Sequence, residues 1–574
     1  MTPQQPSPVT GRPAARRVAL LSIVAAAALT AVLVARTFWY LFHSVTNVPY
    51  PDQWVMLQEI WRVHTGQLGW SYLWSLYWGH RPLLPRLLIL LSVKYLRYST
   101  LPFILTNLAA QTSLVLVVVS LARRLFPNRR RLFWLSAVAA VNLLLSSLQM
   151  EVFIEGIEIQ YTIGYASALA AIAIMGMALD PGLRLRPRFW VSILLGLASC
   201  ACLAIGPLVW PILIVEAWLA RAGIKYLAVL TAIAGIVITA YFIGYGRPSM
   251  GMGIAGFIHH PIQAFAVVAL LLGGPLSFYS RALAIVSGGI GMVVAGGLAI
   301  HFWRTRSAKP AAIALTMAAG FLIGSAVALA IGRVSTDVLV GPGIPPLPSR
   351  YAAPTLAFWA VLFPVSLTCW STGYLGRLAA MGVSVIVLAL TLGTWSWQWR
   401  LSREWAMLSE RYDAIGSGFL AAVSDQDYMS PIIADEQYRG RMVDYMRQRH
   451  LSVFAEPRGR WMDRDIKTIG PTDKQSNCRA TVAAVPLGGD PPSFRVRGTL
   501  TLDDSIGARP PRRRLDILMT DNIGTVKGLA RTLPIQSENA PAEEFWGYAR
   551  GISPRELRLF VFLPGRGVCS VQIP

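Results

Sequence analysis

Charged residues are scarce in this chain. Asp, Glu, Lys and Arg make up only 14% of its 574 residues, and its mean hydropathy is +0.49. A soluble protein of this length contains about 25% charged residues, so the shortage excludes an ordinary soluble protein. It is concentrated between residues 18 and 397, where apolar runs recur between short polar loops. Because a bilayer core requires roughly 20 apolar residues per helix, we predict an all-α body that crosses a membrane many times.

Cysteine is also scarce, with five residues in the chain. Cys200, Cys202 and Cys369 lie inside apolar runs, where a thiol packs as a small apolar side chain. The Cys200-x-Cys202 pair has no His or Cys nearby in the sequence, so we assign no metal site there. Cys478 and Cys569 bracket the C-terminal region. If that region faces an oxidising compartment, they can form a disulfide that joins its first and last strands.

Acidic residues are outnumbered by basic ones, 29 to 52, which gives a net charge of +23. The excess is not typical of a nucleic-acid-binding protein, because Lys and Arg are spread over short loops and form no basic helix. Cationic loops of this kind are retained on the cytoplasmic side of a membrane. We therefore expect membrane lipids as partners and no nucleic acid.

Eleven spanning helices account for both the apolar runs and the positions of the basic loops. The predicted spans are 18–42, 102–122, 132–149, 162–179, 189–205, 207–220, 226–244, 283–303, 311–332, 353–370 and 378–396. With residues 1–17 as a cytoplasmic tail, the basic loops fall inside and the acidic loop near Glu151 falls outside, as the positive-inside rule requires. Two shorter apolar stretches, Leu83–Tyr95 and Ile262–Leu276, are predicted to be helices in the outer interface.

The C-terminal region follows an odd number of spans and is therefore predicted to lie outside the cytoplasm. Residues 398–476 carry apolar side chains at helical spacing, whereas residues 477–574 contain short alternating runs separated by turn residues. Such alternation is typical of strands in a small all-β domain. We expect a transmembrane domain over 18–397, then an extracytoplasmic helical linker over 398–476 and a β-sandwich over 477–574.

The first outer loop, residues 43–101, is unusually long, and long loops in compact proteins are often functional. Asp52 lies just past the first span, and His80, Arg81 and Arg86 follow later in the loop. A carboxylate can accept the proton of a hydroxyl nucleophile, and guanidinium groups can bind a phosphate. Two structural alternatives stay open, namely Asp52 as a helix N-cap and His80 with Arg81 as interfacial snorkelling side chains.

Further candidate groups lie in later outer loops. Glu151, Glu155 and Glu158 are spaced i, i+4, i+7, which would place them on one helical face. A solvated acidic face is the structural alternative, whereas Glu155 or Glu158 could act with the carboxylate of the first loop in acid–base catalysis or metal binding. Arg333 and Arg350 belong to the same side and could stabilise the charge on a leaving phosphate.

The chain resembles the GT-C superfamily of membrane glycosyltransferases, which use polyprenyl-phosphate sugars at the outer membrane–water boundary. The resemblance covers most of residues 18–397 and is architectural: an acid in a long first outer loop, interface helices and about eleven spans. The motifs that carry it are Pro51-Asp52-Gln53-Trp54, His80-Arg81 with Pro85-Arg86, and Ser349-Arg350-Tyr351. One departure is Gly79, because relatives with this pattern often have an acid before the His-Arg pair.

The resemblance implies an inverting glycosyltransferase in the cytoplasmic membrane of a bacterium. Its donor would be a polyprenyl-phosphate-linked sugar and its acceptor a glycan or a lipid. Asp52 would be the catalytic carboxylate, with Glu155 or Glu158 as a second acid. The residues we place around the donor phosphate are His80, Arg81, Arg86, Arg333, Arg350 and Tyr351. We assign no metal ligands and no certain cofactor, although the carboxylates leave open a divalent cation, Mg²⁺ or Mn²⁺.

Two other function classes stay open. An O-antigen polymerase or ligase also has many spans and outer Arg residues, but its large loop comes late in the membrane part, whereas the longest loop here comes first. A transporter or flippase of lipid-linked glycans would show repeated halves and charged residues inside spans. Glu216 is the main acid inside a predicted span, and no half-repeat is visible.

Overall fold

The computed structural model describes residues 13–178, 185–246, 251–305, 309–334, 349–371, 373–502, 514–537 and 542–573. Most of the predicted tail, residues 1–12, lies outside this part. The helices of the apolar body are α1 (Pro13–His43), α2 (Pro51–His64), α3 (Leu83–Tyr95), α4 (Leu101–Leu125), α5 (Arg130–Leu144), α6 (Met150–Ile154), α7 (Ile159–Ala178), α8 (Leu185–Cys200), α9 (Val209–Leu219), α10 (Ile224–Phe242), α11 (Gly253–His259), α12 (Pro261–Leu272), α13 (Arg281–Thr305), α14 (Pro310–Gly332), α15 (Ala352–Ser366) and α16 (Tyr374–Leu388).

The chain is a multi-pass membrane protein, and its described residues contain fewer helices of full membrane length than the eleven predicted spans. Nine helical segments of the described chain are long and apolar enough to cross a bilayer, or ten if α11 and α12, bent by 109°, form one span. The difference lies at the predicted spans 189–205 and 207–220, where the apolar helices Pro187–Cys200 and Gly206–Leu219 are shorter. Helices of this length fall short of a hydrocarbon core of about 30 Å, because each residue adds only about 1.5 Å.

The two ends of the helical body differ in charge. At the end we call the basic end, the loops α4–α5 and α13–α14 meet, and Lys309 Nζ donates a hydrogen bond of 3.1 Å to the Leu125 carbonyl. The basic residues that flank the helices at this end are Arg123, Arg124, Arg129, Arg130, Arg131, Arg221, Lys225, Arg304, Lys309 and Arg377. At the opposite end, α1 leaves the body, α6 meets α7, and α14 ends. This opposite end carries Asp52 of the first outer loop and the glutamates between α6 and α7, and we call it the acidic end.

Close backbone contact holds the helices of the body together, as is usual where small residues line helix interfaces. The core packs around α7, α14 and α15, which are buried along most of their length. At Gly288 of α13, an added Cβ would lie 2.0 Å from the Ala269 carbonyl of α12. A larger side chain there would force α12 and α13 apart.

The C-terminal region begins with a long helix, α17 (Trp395–Ala421), and continues through α18 (Gln426–Met429) and α19 (Glu436–Gln448). Seven strands follow: β1 (Thr472–Gly488), β2 (Ser493–Leu502), β3 (Asp516–Thr520), β4 (Val526–Thr532), β5 (Glu543–Arg550), β6 (Arg558–Leu563) and β7 (Gly567–Gln572). The helix α17 packs against β4 and β5, so helical and strand-rich parts form one unit.

The strands form a closed barrel and not the predicted sandwich. Their order is β1-β2-β5-β4-β3-β6-β7, and β1 closes the sheet by pairing in parallel with β7. Alternation along the sequence predicts strands, but it carries no information on whether the first and last strands pair. A disulfide between Cys478 and Cys569 joins these two strands.

A buried charge network fixes α17 to the barrel. The carboxylate of Asp413 accepts hydrogen bonds from Arg458 at 2.7 Å and Arg514 at 2.9 Å, and it also contacts Arg531 of β4. Burial alone would raise the pKa of Asp413, but the guanidiniums of Arg531, Arg458 and Arg514 outweigh it and hold the pKa well below its usual value. We call this set the Asp413 network.

Candidate functional site

The first turn of α2 places Asp52 at the acidic end of the body. Residues next to Asp52 cap the N-terminus of this helix, because the Gln53 side chain accepts a hydrogen bond of 2.8 Å from the Tyr50 N–H. Tyr50, and not Asp52, is the N-cap residue, so the N-cap alternative for Asp52 is wrong. Asp52 is only partly buried, and its carboxylate is therefore available to a ligand.

A break between α6 and α7 brings three glutamates to Asp52. The helix α6 ends at Ile154, Glu155 has extended backbone angles, and a short 3₁₀ turn, Gly156–Glu158, leads into α7. Gly156 permits close approach to α2, because an added Cβ would lie 2.2 Å from the Gln53 side-chain nitrogen. The glutamates thus do not share one helical face, contrary to the prediction from their spacing.

The glutamates are buried, so the solvated-face alternative is also wrong. Glu151, Glu155 and Glu158 are 7%, 9% and 1% exposed. One carboxylate oxygen from each of Asp52, Glu155 and Glu158 lies within 4.8 Å of the others. We call these three residues the acidic cluster. Glu158 Oε2 has no hydrogen-bond partner among the described residues.

Three carboxylates at this distance repel one another unless protons or a cation neutralise them. Burial, and then the charges of Glu158, Glu151 and Asp52, raise the pKa of Glu155, which lies in the break between two spans, well above its usual value. Carboxylate oxygens are the ligands that Mg²⁺ and Mn²⁺ prefer. The acidic cluster is therefore a candidate site for a divalent cation, although no ligand set was assigned from the sequence.

Arg350 lies beside the acidic cluster. Its Nη1 is 3.1 Å from Glu151 Oε1 and 3.9 Å from Glu158 Oε1, and its backbone N–H donates to Glu151 Oε2 at 3.0 Å. Its side chain is 34% exposed, which leaves part of the guanidinium accessible. The guanidinium also lies over the ring of Tyr351, 5.8 Å from its centroid. Arg350 thus counters part of the negative charge and retains donors for an anion.

His80 and Arg333 form a second group at the acidic end. The Ala204 N–H donates to His80 Nδ1 at 3.1 Å, and Arg333 Nη2 lies 3.2 Å from His80 Nε2. Burial, and then the charge of Arg333, lower the pKa of His80 to about 3, so its ring is neutral at pH 7. A neutral imidazole has only one acceptor nitrogen.

The neutral ring of His80 therefore cannot accept from both Ala204 and Arg333. If Nδ1 accepts from the Ala204 N–H, the proton of the ring is on Nε2. The Nε2–H group then lies beside the N–H groups of Arg333, so that two hydrogen-bond donors are adjacent. Two adjacent donors of this kind are satisfied by an anion that accepts from both, and phosphate oxygens do so well. Arg333 also lies close enough to Glu158 for its charge to act on that carboxyl. His80 and Arg333 thus belong to the same electrostatic region as the acidic cluster.

Arg81 and Arg86 are engaged elsewhere, which corrects their prediction as phosphate-binding residues. Arg81 donates to the carbonyls of Tyr241 at 2.9 Å, Trp74 at 2.5 Å and Ile243 at 2.5 Å. Both guanidiniums are buried and hold the first loop in its fold.

Arg86 shows the same use of guanidinium donors. It forms a two-point ion pair with Glu59 at 2.8 and 3.0 Å and donates to the carbonyls of Tyr72 and Ser75, both at 2.7 Å. The snorkelling alternative is wrong for His80 and Arg81, since both are buried.

The sequence analysis missed Tyr77. Its hydroxyl is buried and has no hydrogen-bond partner among the described residues. Burial, followed by the charges of Asp52, Glu59 and Glu158, raises the pKa of Tyr77, so the hydroxyl stays protonated and can donate near the acidic cluster. A tyrosine in an aromatic-rich loop gives no signal of this role.

The site combines a partly exposed carboxylate, buried carboxylates suited to a cation, and donors suited to an anion. Such a set can take a proton from a hydroxyl and stabilise a phosphate leaving group. Comparisons of the chain with protein-family models, with curated proteins and with solved structures find no match.

Proposed function

We propose that this protein is a membrane glycosyltransferase of the GT-C type, which moves a sugar from a polyprenyl-phosphate donor to a hydroxyl of a glycan or lipid acceptor. The observation that carries the proposal is the convergence of the acidic cluster with Arg350 and with the His80–Arg333 pair. Residues far apart in sequence supply a base, a candidate cation site and phosphate-binding donors whose charges act on one another. A base and phosphate-binding donors are the groups that such a transfer uses, and a cation would add positive charge beside the phosphate.

In the proposed reaction, the acceptor hydroxyl attacks the anomeric carbon of the donor sugar. Its proton passes to Asp52, the most exposed carboxylate of the acidic cluster, while the bond between the anomeric carbon and the phosphate oxygen breaks. Polyprenyl phosphate leaves, and attack from the opposite face inverts the anomeric centre. Arg350, Arg333 and the His80 Nε2–H stabilise the charge that develops on the phosphate.

A divalent cation, where bound, would add positive charge next to that phosphate. Glu155 and Glu158 would hold it together with one oxygen of Asp52, and the second oxygen of Asp52 would remain for the acceptor proton. The unpartnered Glu158 Oε2 fits this use, because a buried carboxylate oxygen without a partner is costly.

We propose further that the site faces away from the cytoplasm. The site residues lie at the end of the body opposite to the basic end, and basic loops are retained inside. Whether the short α8–α9 pair crosses the membrane does not alter this orientation, since adding or removing two consecutive spans keeps the parity. Trp70, Trp74 and Trp78 of the first loop are exposed, which suits an aromatic belt at the lipid–water interface.

The experiment is a transfer assay with the full-length protein in lipid nanodiscs. Polyprenyl-phosphate mannose, glucose, galactose and arabinose serve as donors, cell-envelope glycan serves as acceptor, and release of polyprenyl phosphate is measured. We expect Asp52→Asn to lower release with the active donor by a factor of about 100 or more, because it removes the base. The control is Glu404→Gln, on an exposed pair with Arg400, which should retain full activity. Full activity of a folded Asp52→Asn protein would refute the mechanism.

One observation favours a transporter of lipid-linked glycans as the second candidate. Glu216 in α9 is fully buried, and its two carboxylate oxygens have no hydrogen-bond partner among the described residues. Lone acids inside membrane helices often mark proton or ion pathways. Movement of a labelled lipid-linked glycan across proteoliposomes, lost in Glu216→Gln and kept in Asp52→Asn, would favour transport over transfer.

A further inference from the structure

A groove on the outer face of the C-terminal barrel shares no residue with the acidic cluster. Its volume is about 520 Å³, within the range of small-molecule sites, about 300–1,000 Å³. Strands β1, β2 and β5 form its floor, and Arg411 of α17 and Tyr428 of α18 form its wall. The groove thus lies where the barrel meets the helices that follow the membrane part.

Strand register brings the polar side chains of the floor into one patch. Thr481 pairs with Thr499, Thr499 pairs with Glu544, and Arg497 pairs with Trp546. Residues two apart on a strand share a face, so Thr499 and Arg497 lie on the same side of β2, as do Glu544 and Trp546 on β5. The barrel core uses the alternate residues, including Val496 and Phe545.

Both hydrogen-bond donors and acceptors line this groove. Arg497 and Arg411 are exposed, and the Arg497 guanidinium lies 4.8 Å from the Tyr428 ring centroid and 5.2 Å from that of Trp546. On the acceptor side, Glu544 Oε2 receives a hydrogen bond of 3.0 Å from Gln536 Nε2. Such a mixture suits hydroxyl groups, each of which can donate and accept.

Two buried polar atoms of the lining are unpartnered among the described residues: Trp546 Nε1, which can only donate, and Gln536 Oε1, which can only accept. Trp546 itself is only 4% exposed. A buried donor or acceptor without a partner is unfavourable, and a ligand that accepts from Trp546 Nε1 and donates to Gln536 Oε1 would remove that penalty.

We propose that this groove is a saccharide-binding site, specific for neutral sugars. An anion such as phosphate would meet the Glu544 carboxylate beside the arginines, whereas a neutral polyol can donate to Glu544 and Gln536 and accept from Arg497 and Trp546. The inference does not rest on the transferase proposal, because none of its residues belongs to the acidic cluster or to the His80–Arg333 pair.

The test is isothermal titration of the full-length protein in nanodiscs with neutral oligosaccharides of mannose, glucose, galactose and arabinose, and with inorganic phosphate. We expect at least one oligosaccharide to bind, and we expect any binding of phosphate to be the same in Arg497→Ala, because phosphate does not enter the groove. Arg497→Ala should weaken binding by about tenfold or more, since hydrogen bonds to charged groups are the strong ones. Trp546→Phe, which keeps an aromatic side chain but removes the indole N–H, should weaken binding about fivefold.

The matched control is Arg479→Ala on β1, an exposed arginine outside the groove. It should bind as the unmodified protein does, and so should Asp52→Asn, which separates this site from the transferase. Circular dichroism and the thermal midpoint verify that each variant is folded. No binding of any oligosaccharide, equal oligosaccharide affinity in Arg497→Ala, or phosphate binding that Arg497→Ala weakens would overturn the proposal.

Discussion

At the scale of single residues, the site depends on which ionisable groups remain available. Arg81 and Arg86 have their donors engaged by backbone carbonyls and by Glu59, whereas Arg333 and Arg350 keep part of theirs toward the acidic end. Buried guanidiniums whose donors bind carbonyls and a carboxylate stabilise the fold of the loop. The same residue type therefore serves the fold of the loop in one place and the site in another.

His80 makes stability depend on pH in a definite direction. Its pKa in the folded protein, about 3, is below the value of about 6.5 in an unfolded chain. The stabilisation is fully present above pH 6.5 and is lost as the pH falls toward 3, because the unfolded state then binds the proton more readily. Each pH unit of acidification in this window lowers the free energy of unfolding by about 1.4 kcal/mol.

The measurement compares thermal unfolding of the unmodified protein and His80→Gln at pH 7.5 and pH 5.0. Other titrating groups are shared by the two proteins, so the difference between them isolates His80. We expect the unmodified protein to lose about 2 kcal/mol more than His80→Gln on acidification. An equal loss in both proteins would show that His80 is not held neutral by its surroundings.

At the scale of elements, the break at Glu155 decides the site. Helical spacing of Glu151, Glu155 and Glu158 predicted one shared face, but the helix ends at Ile154, and Gly156 lets the following turn approach α2. Periodicity describes a regular helix and fails where the chain leaves it. The sequence contains the glycine, but it does not show that this residue packs against Gln53 of α2, which lies about a hundred residues earlier in the chain.

The Asp413 network is the element-scale contact that we expect to fix α17 to the barrel. Asp413→Asn removes the negative charge that neutralises Arg458, Arg514 and Arg531, and breaking a buried ion pair costs about 3–5 kcal/mol. We expect a lower thermal midpoint and faster release of the barrel by trypsin.

Asp444→Asn is the control for this comparison. Asp444 forms an exposed pair with Arg447 at 2.9 Å, and such pairs contribute less than about 1 kcal/mol. The thermal midpoint of Asp444→Asn should therefore differ little from that of the unmodified protein. Trypsin release of the barrel at the same rate from Asp413→Asn and Asp444→Asn would show that the network does not hold the junction.

At the scale of the whole molecule, features set by neighbouring residues could be predicted from the sequence, whereas features set by contacts between distant segments could not. Most spans could be predicted, because a bilayer imposes a local requirement for apolar length. At the predicted spans 189–205 and 207–220 the helices are shorter than a full span, because a turn that the apolar run does not reveal separates them. Strands of the C-terminal region were visible from alternation, but barrel closure requires β1 to pair with β7 across nearly the whole domain.

The candidate site shows the same limit. Asp52, His80, Arg333 and Arg350 were identified as candidates from residue type and from the side of the membrane on which they were predicted to lie. Their grouping could not be derived from the sequence, because it depends on how three loops pack together. No local pattern distinguishes Arg333, which faces His80 and donates to the Trp78 carbonyl, from Arg81, which donates to three carbonyls.

The position of a bound donor headgroup tests the transferase proposal most directly. The measurement is an electron cryomicroscopy map of the protein in nanodiscs with polyprenyl phosphate and Mn²⁺. We predict phosphate density within hydrogen-bonding distance of Arg333 and Arg350, and cation density among Asp52, Glu155 and Glu158. Phosphate bound instead at the basic end, beside Arg129 and Lys309, with no density at the acidic cluster, would contradict the proposal.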